Sequence, residues 1–391
     1  MSQSRKNIEA GSCPVYKKCG GCQLQNLSYP EQLRFKQNKV VRLLKAFGRV
    51  EPIIGMDDPY HYRNKVQAAF FTNRQGKIVS GVYQSGTHRI VGIDSCQIED
   101  RLADEIIVAI RKLLPSFRLT TYNEDTRKGF LRHVLVKRGF ATGEVMVVLV
   151  TGTPIFPSKN NFVKALRGQF PQITTVVQNI NPHKTNLVLG DRETVLFGRG
   201  YIEDVLCGCR FRISPRSFYQ INPVQTEVLY GKAIEFAGLK GDETVLDTYC
   251  GIGTIGIIAA KRGAGRVIGA ELNGDAVRDA VVNAKANGLD NIRFFKGDAG
   301  DFMTAAAEES EKPDVVFMDP PRAGSSETFL DALIKMSPKT VVYVSCNPET
   351  LARDLGYLKK HSGYKVRKIQ PVDMFPHTHH VECVVLLSKS S

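Results

Sequence analysis

A cysteine in the C-terminal part of the chain lies where a nucleophile would be expected. Residues 341–345 form a largely β-branched run that predicts a buried strand, and Asn347 followed by Pro348 is typical of a helix N-cap and first turn. Cys346 is therefore expected between the strand's carboxyl end and the helix, where open α/β sheets bind ligands. We expect the helix dipole to lower the pKa of its thiol. The alternative is a small buried residue that fills the strand end.

Three more cysteines lie close together near the N-terminus, at Cys13, Cys19 and Cys22, with two glycines that allow a tight backbone turn. Cys96 could complete a set of four. Four thiolates suit either zinc or an iron–sulfur cluster, and the spacing alone does not distinguish these metals. The alternative is a group of free surface thiols.

The elements that must position Cys346 alternate between strand and helix from residue 244 onward, which predicts a doubly wound parallel sheet. The predicted strands, of which the last two would form an antiparallel edge hairpin, are 244–249, 266–271, 292–296, 314–318, 340–345, 365–369 and 382–387. A glycine-rich turn at 250–256 follows the first strand, and Glu271 ends the second. Glycines permit close backbone approach and the acid can accept both ribose hydroxyls, so this pattern suits NAD or S-adenosylmethionine equally.

Two motifs further along favour S-adenosylmethionine. Asp298 follows the third strand and Asp319-Pro320-Pro321-Arg322 follows the fourth, which resembles the S-adenosylmethionine-dependent methyltransferases of the Rossmann-like class. In that resemblance Asp298 reaches the adenine amine and Asp319 lies between cofactor and substrate. Amino-group methyltransferases of this class usually carry an aromatic residue after Asp-Pro-Pro, whereas this chain has Arg322. A carbon atom is therefore the more plausible methyl acceptor.

Methylation of carbon 5 of uracil needs two protein groups. A thiolate must first add to carbon 6, and the proton on carbon 5 must later be removed by a base. Cys346 is the candidate nucleophile, and Glu382 is the candidate base because it begins the strand expected beside the one that bears Cys346. The alternatives are that Glu382 is an ordinary charged strand end, or that His377, His379 and His380 bind a metal.

The region from about 58 to 200 predicts a mixed α+β domain that binds RNA. Its predicted strands are 66–71, 78–83, 130–137 and 144–150, with helices at 99–114 and 158–169. Arg63 and Lys65 form one basic-aromatic patch. Arg132 lies in a second patch, between residues 111 and 140, which contains eight lysines or arginines and only two acidic residues. Cations with flat side chains suit single-stranded RNA, although a solvated basic face around core aromatics would give the same pattern.

Composition is consistent with a nucleic-acid partner and with no membrane. The 391 residues carry a formal net charge of +14, which favours a polyanion. No apolar stretch is long enough to span a bilayer and the N-terminus lacks the apolar segment of a signal peptide, so we expect a cytoplasmic protein. Its nine cysteines should then be reduced, which favours metal-binding or catalytic roles over disulfides.

Four motifs taken together resemble the RNA uracil-C5 methyltransferases, and the likeness covers nearly the whole chain. The motifs are Ser217-Phe218-Tyr219-Gln220-Ile221-Asn222-Pro223, Asp319-Pro320-Pro321-Arg322, Ser345-Cys346-Asn347-Pro348 and Phe375-Pro376-His377-Thr378-His379-His380-Val381-Glu382. The N-terminal cysteines match the branch that acts on 23S ribosomal RNA, in which the matching four bind a [4Fe-4S] cluster. The tRNA branch lacks that quartet.

The resemblance implies a role for each site residue. Cys346 is the nucleophile, Glu382 is the base, and Phe218 stacks near the flipped uracil. Contacts to S-adenosyl-L-methionine are implied for Gln220, Tyr249, Gly251, Thr254, Glu271, Asp298 and Asp319. Thr254 stands where some members have asparagine. RNA contacts are expected at Arg63, Lys65 and Arg132, and the cluster ligands are Cys13, Cys19, Cys22 and Cys96.

These expectations define three parts. They are a cysteine cluster region and helix at 1–57, a central RNA-binding domain at 58–200, and a class I methyltransferase domain at 201–391. Many ribosomal members begin with a small OB-like β-barrel domain, which we do not expect here. The expected protein is a monomeric 23S rRNA uracil-C5 methyltransferase that acts on a flipped uridine in a single-stranded or loop segment. The alternatives are tRNA uracil-C5 methylation, rRNA cytosine-C5 methylation, and an iron–sulfur redox-sensing RNA-binding protein.

Overall fold

The computed structural model describes residues 13–87, 89–309 and 312–389, which divide into two compact units. Within the described residues, the first unit comprises the chain up to Gln32, Asp58–Ile202 and Pro376–His379. The second comprises Leu33–Asp57, Glu203–Phe375 and the chain from His380 onward. The chain therefore crosses between units several times, and the three-part division drawn from the sequence stays a prediction.

The first unit is built on a seven-stranded sheet. In chain order its elements are α1 (Tyr16–Cys19), α2 (Tyr29–Leu44, continuing into the second unit), β1 (Lys65–Thr72), β2 (Ile78–Tyr83), β3 (Ile90–Gly92), α3 (Arg101–Ser116), β4 (Leu131–Arg138), β5 (Val145–Thr151), α4 (Lys159–Gln169), β6 (Ile173–Ile180) and β7 (Arg192–Phe197). The strand order is β3-β2-β1-β4-β5-β6-β7, and only β5 and β6 pair in parallel. The predicted α+β character of this region is confirmed.

Local sequence explains the core of this unit. The continuous apolar run of β5 is buried along its whole length, as expected for a strand covered on both faces. Helix α3 begins at Asp100, whose side chain accepts a hydrogen bond from the Ala103 N–H at 3.0 Å. Ile106 and Ile110 follow at a spacing of one helical turn and are fully buried against the sheet.

The second unit holds the predicted methyltransferase sheet. Its elements are β8 (Ile202–Leu206), β9 (Cys209–Ile213), α5 (Pro223–Ala237), β10 (Thr244–Thr248), α6 (Thr254–Lys261), β11 (Arg266–Glu271), α7 (Gly274–Ala286), β12 (Ile292–Lys296), α8 (Ala299–Glu308), β13 (Val315–Met318), α9 (Glu327–Met336), β14 (Thr340–Ser345), α10 (Pro348–His361), β15 (Tyr364–Val372) and β16 (Glu382–Lys389). All seven predicted strands are present. Strands β8 and β9 form a separate two-stranded sheet.

The strand order β12-β11-β10-β13-β14-β16-β15 makes this a Rossmann-like α/β sheet. Strands β10 to β14 are parallel, and β16 is antiparallel to both β14 and β15, which confirms the predicted edge hairpin. The order reverses between β10 and β13, and it is at the carboxyl ends of strands at such a point that open α/β sheets bind ligands. Helices α8, α9 and α10 pack on the sheet through Met303, Phe329 and Leu355.

Among the helices of the described ranges, none is long and apolar enough to span a bilayer.

Candidate active site

Strand register brings Cys346 and Glu382 together. Ser345 is paired with Cys383 across antiparallel β14 and β16, and Cys346 and Glu382 are the next residues outward on the two segments. Helix α10 begins directly afterwards, where the Asn347 side chain accepts the Glu349 N–H at 3.1 Å and Pro348 is the first helical residue. The predicted order of strand, cysteine, N-cap and helix is confirmed.

The electrostatics at Cys346 differ from the expectation. The pKa of the Cys346 thiol is raised to about 11, chiefly because the side chain is partly buried. The charges of Glu382 and Asp319 also raise this pKa, and their effect is larger than the lowering by Arg322. The predicted lowering of this pKa is therefore wrong. Desolvation and two neighbouring carboxylates outweigh the favourable end of the α10 dipole.

The pKa values of the two carboxyl groups near the thiol are also raised. Burial raises the pKa of Asp319, which follows β13, to about 7. Glu382 is 3% exposed, and burial followed by the charge of Asp319 raises its pKa well above the ordinary value. Asp319 can therefore exchange a proton near neutral pH, and the raised pKa of Glu382 makes its carboxylate a stronger base than an exposed glutamate, as general acid–base chemistry requires.

Tyr230 on α5 is a member of this group that sequence reasoning missed. Its hydroxyl is buried and accepts a hydrogen bond from Gln220 Nε2 at 3.4 Å. Burial, and then the charge of Asp319, raise its pKa well above the ordinary value, with a smaller contribution from Glu382. A lone tyrosine in an apolar stretch of the sequence carries no signal that separates it from a core residue.

The glycine-rich turn after β10 is hydrogen-bonded to Glu271, the acid that ends β11. The Gly251 N–H donates to Glu271 Oε2 at 3.0 Å, and the Asn273 N–H donates to Oε1 at 2.7 Å. Gly253 has φ +82°, and a Cβ there would lie 2.7 Å from the Phe294 ring. Position 253 therefore requires glycine. Helix α6 begins at the next residue, Thr254.

Three other predicted cofactor residues lie at the same sheet edge. Tyr249 follows β10 in a left-handed conformation, with φ +63° and its ring centroid 5.4 Å from that of Phe329. Such backbone strain is concentrated at functional sites. Asp298 follows β12 and caps α8, where Oδ1 accepts the Gly300 N–H at 2.8 Å. With Asp319 after β13, the carboxyl ends of four adjacent strands carry these residues.

Residues 28–390 match the sequence model of the tRNA (uracil-5-)-methyltransferase family. The chain belongs to this family. It is 45% identical over 393 residues to an RNA methyltransferase of Bacillus cereus, covering 99% of this chain and 84% of the relative. A Listeria monocytogenes RNA methyltransferase is 46% identical over 380 residues, with 96% and 83% covered.

A solved structure supports the same assignment. The tRNA (uracil-54, C5)-methyltransferase of Pyrococcus abyssi, in complex with S-adenosyl-L-homocysteine, superposes with a TM-score of 0.79 at 32% identity. The match covers 94% of this chain and 85% of that one. The Rossmann-like sheet is thus that of an RNA methyltransferase of the uracil-5 type.

Phe218 of this methyltransferase is 64% exposed in the loop between β9 and α5. Two interactions stabilise the conformation of this loop. Ser217 Oγ donates to Asp279 Oδ2 at 2.6 Å, and the Asn222 side chain caps α5. An exposed aromatic ring on a fixed loop is available for stacking.

The basic residues predicted to contact RNA differ in their surroundings. Arg132 is 5% exposed, and its Nη1 donates to the carbonyl oxygens of Asn181 and His183 at 2.6 and 2.8 Å. Its guanidinium group therefore orders the loop after β6, a structural role that was not expected. Arg63 and Lys65 are half-buried, and burial followed by the charge of Arg63 lowers the pKa of Lys65.

The four N-terminal cysteines are half-buried free thiols of the first unit. Burial raises the pKa of Cys22 to about 12, and the charges of Cys19 and Cys13 add to the effect, so these three are close neighbours. Burial and then Glu99 raise the pKa of Cys96, and Glu99 also acts on Cys19 and Cys22. Within ranges 13–87, 89–309 and 312–389, however, no group of three or more His, Cys, Asp or Glu residues is arranged to bind a metal.

Proposed function

We propose that the protein methylates carbon 5 of a specific uridine in 23S ribosomal RNA, using S-adenosyl-L-methionine and a covalent adduct with Cys346. The observation that carries this proposal is the register of β14 and β16, which puts Cys346 and Glu382 one residue beyond the last cross-strand pair, where the charge of Glu382 acts on the thiol. Residues that continue this register would lie on the same face of the sheet, about 5 Å apart. Carbons 5 and 6 of one uracil are adjacent atoms, so one base could present both to this pair.

The steps follow from these positions. The Cys346 sulfur adds to carbon 6, and the electron pair of the 5,6 double bond makes carbon 5 nucleophilic. A bound S-adenosyl-L-methionine would supply the methyl group to carbon 5, with its sulfur–methyl bond broken and S-adenosyl-L-homocysteine left as the product. Glu382 removes the proton from carbon 5, the double bond forms again, and the Cys346 sulfur leaves carbon 6. The raised pKa of Glu382 suits a base that must take a proton and later lose it.

The residues at the sheet edge suit S-adenosyl-L-methionine, which supplies an electrophilic methyl group when bound. The turn at Gly251 permits close backbone approach, and Glu271 is positioned by two backbone N–H groups at the end of β11, where an acid binds ribose hydroxyls. Asp298 would bind the adenine amine. Gln220, Tyr249, Thr254 and Asp319 would contact the rest of the cofactor. The Pyrococcus abyssi enzyme was solved with the demethylated cofactor, which supports this assignment.

The choice of 23S ribosomal RNA rests on the N-terminal cysteines, whereas the Pyrococcus abyssi neighbour acts on tRNA. A tRNA substrate is therefore the second candidate. Labelled cofactor offered with 23S RNA and with tRNA, each with and without the target uridine changed to cytidine, distinguishes the substrates. Methylation of 23S RNA that depends on one uridine supports the proposal. Methylation of tRNA alone, or of the cytidine-containing RNA, contradicts it.

We further propose that Cys13, Cys19, Cys22 and Cys96 hold a structural [4Fe-4S] cluster. The proximity of Cys13, Cys19 and Cys22, and the charge of Glu99 that acts on Cys96 as well as on Cys19 and Cys22, support this. The described side chains do not form a ligand set, so no reaction step is assigned to a cluster. Iron and sulfide analysis of anaerobically purified protein tests the proposal. Cys13→Ser should lose both elements, while Cys207→Ser, which changes a half-buried thiol elsewhere, should keep them. Stoichiometric zinc, or iron retained in Cys13→Ser, would exclude the cluster.

A further inference from the structure

The segment that leads to Glu382 is held in place by residues far away in sequence. It joins β15 to β16 as residues 373–381. Within the second unit, Lys36 Nζ donates to Asp373 Oδ1 at 2.5 Å and to the Phe375 carbonyl oxygen at 3.0 Å. The Asn222 side chain donates to the Met374 carbonyl oxygen at 3.0 Å. Each of the first three residues after β15 therefore has an anchor.

The next four residues, 376–379, belong to the first unit and are anchored there as well. The Tyr62 hydroxyl donates to the Pro376 carbonyl oxygen at 3.0 Å, and the Leu24 N–H donates to that of His377 at 2.9 Å. Tyr62 is almost fully buried, so its hydrogen bond is shielded from competing water. The chain reaches Glu382 three residues after this anchored stretch.

A further anchor is the pair formed by Gln32 and His377, both of which are buried. Gln32 Oε1 accepts the His377 N–H at 2.8 Å, while Nε2 lies 3.2 Å from His377 Nδ1 and donates to the Leu27 carbonyl oxygen at 2.9 Å. Because a backbone N–H can only donate, the orientation of the amide is fixed. Nε2 is then directed at Nδ1 as a donor, so Nδ1 is the acceptor of this hydrogen bond.

His377 also has an unfavourable, left-handed backbone conformation. Its φ is +68°, in the left-handed region that is unfavourable for a residue with a Cβ, and its ring lies 4.9 Å from that of Tyr60. Such a conformation persists only where the surroundings impose it, and it changes the direction of the chain five residues before Glu382. Gln32 binds both the backbone and the ring of this residue.

We propose that Gln32 is a positioning residue for Glu382: by holding His377 in the left-handed conformation it sets how the chain enters β16. This inference rests on the proposed function, because it concerns the base of that reaction. Gln32 acts through His377 and has no role in the attack of Cys346. Its loss should therefore slow removal of the carbon 5 proton while leaving formation of the adduct intact.

The test is a single-turnover reaction of the full-length protein with labelled S-adenosyl-L-methionine and uridine-containing RNA. Protein–RNA adduct on denaturing gels and free methylated RNA are followed together. In Gln32→Ala, methylated adduct should form at close to the normal rate and be released about 10- to 100-fold more slowly, as expected for a small displacement of a catalytic group. Gln32→Glu keeps the acceptor for the His377 N–H but loses the donor to Nδ1, so adduct should persist there also, for a shorter time.

Gln37→Ala is the matched control. Gln37 lies on the same helix, and its amide bonds the backbone of Glu51 and Ile53 instead of residues 373–379. It should show no persistent adduct. Normal release in Gln32→Ala with an unchanged melting temperature would overturn the inference, as would equal slowing of formation and release. If Gln32→Ala does not fold, Gln32→Glu decides by the same readout. If Glu382→Gln forms no adduct either, the proposed function fails and not the positioning role alone.

Discussion

Cys346 directly follows β14 and Glu382 begins β16, one residue beyond the Ser345–Cys383 pair, and the charge of Glu382 acts on the Cys346 thiol. A strand that runs back antiparallel beside β14 is what makes this possible, since it brings its first residue to the carboxyl end of its neighbour. Residues that continue this register share a face of the sheet, so the two side chains can act on one substrate. The predictions below depend on this relationship and on the charges around it.

Replacing Glu382 with glutamine should separate methylation from release. The amide cannot take the proton from carbon 5, so methylated RNA should remain covalently bound while turnover falls at least about a hundredfold. The measurement is SDS-stable, label-containing protein on a gel. Glu349→Gln, at an exposed acid in the first turn of α10, should release product normally. If the Glu382→Gln variant is inactive and no covalent adduct is trapped, Glu382 is not the base.

Replacing Cys346 with alanine should abolish both adduct and product. Without the sulfur, carbon 5 is never activated, and the rate should fall at least about a thousandfold, while the cofactor still binds. Calorimetric binding of S-adenosyl-homocysteine checks the second point. Cys207→Ala should stay active. Activity retained in Cys346→Ala would rule out the covalent route and favour the redox-sensing alternative.

The rate of adduct formation should rise with pH. With the pKa of Cys346 raised to about 11 by burial and neighbouring carboxylates, the thiolate fraction increases about tenfold per pH unit between pH 7 and 9. Single-turnover rates of adduct formation in buffers of constant ionic strength should follow that slope. A rate that is already flat at pH 7 would mean that bound RNA and cofactor lower the pKa of the thiol.

Asp319→Asn should stabilise the protein in alkaline solution and have little effect in acid. Burial raises the pKa of Asp319 from 3.8 to about 7, so the folded state binds more protons than the unfolded state between these values. The free energy of unfolding therefore falls as the pH rises through this window, and asparagine removes that loss. We expect a gain on the order of 2 kcal/mol at pH 8 and almost none at pH 4, measured by urea unfolding. An equal gain at both pH values would contradict this explanation.

Lys36→Met should destabilise the fold strongly. The Lys36–Asp373 pair is fully buried at 2.5 Å, and removing one partner leaves an uncompensated carboxylate, at a cost of about 3 to 5 kcal/mol. Lys39→Met, on the same helix, breaks a 3.8 Å pair with the largely exposed Glu349 and should cost less than about 1 kcal/mol. Urea midpoints compare the two variants, and similar values would argue that the buried pair contributes little.

The sequence by itself determined the architecture of the second unit and indicated its candidate reactive residues. Alternating apolar runs and helical periodicity are local properties, so the seven strands and the edge hairpin could be predicted from them. The Asn347 cap and Pro348 likewise fix the start of α10 with local chemistry. The motifs at Cys346 and Glu382 identified the family.

Only the tertiary structure decided the properties that depend on neighbours distant in sequence. The pKa of Cys346 is raised because the fold partly buries the thiol and because β16 and β13 bring the carboxyl groups of Glu382 and Asp319 to it, which together outweigh the local helix dipole. Tyr230 joins the site, and Arg132 orders a loop, through contacts that no motif marks. Gln32 and His377 are 345 positions apart, yet their two hydrogen bonds hold the segment that leads to Glu382. Desolvation and long-range hydrogen bonds arise only when the chain has folded.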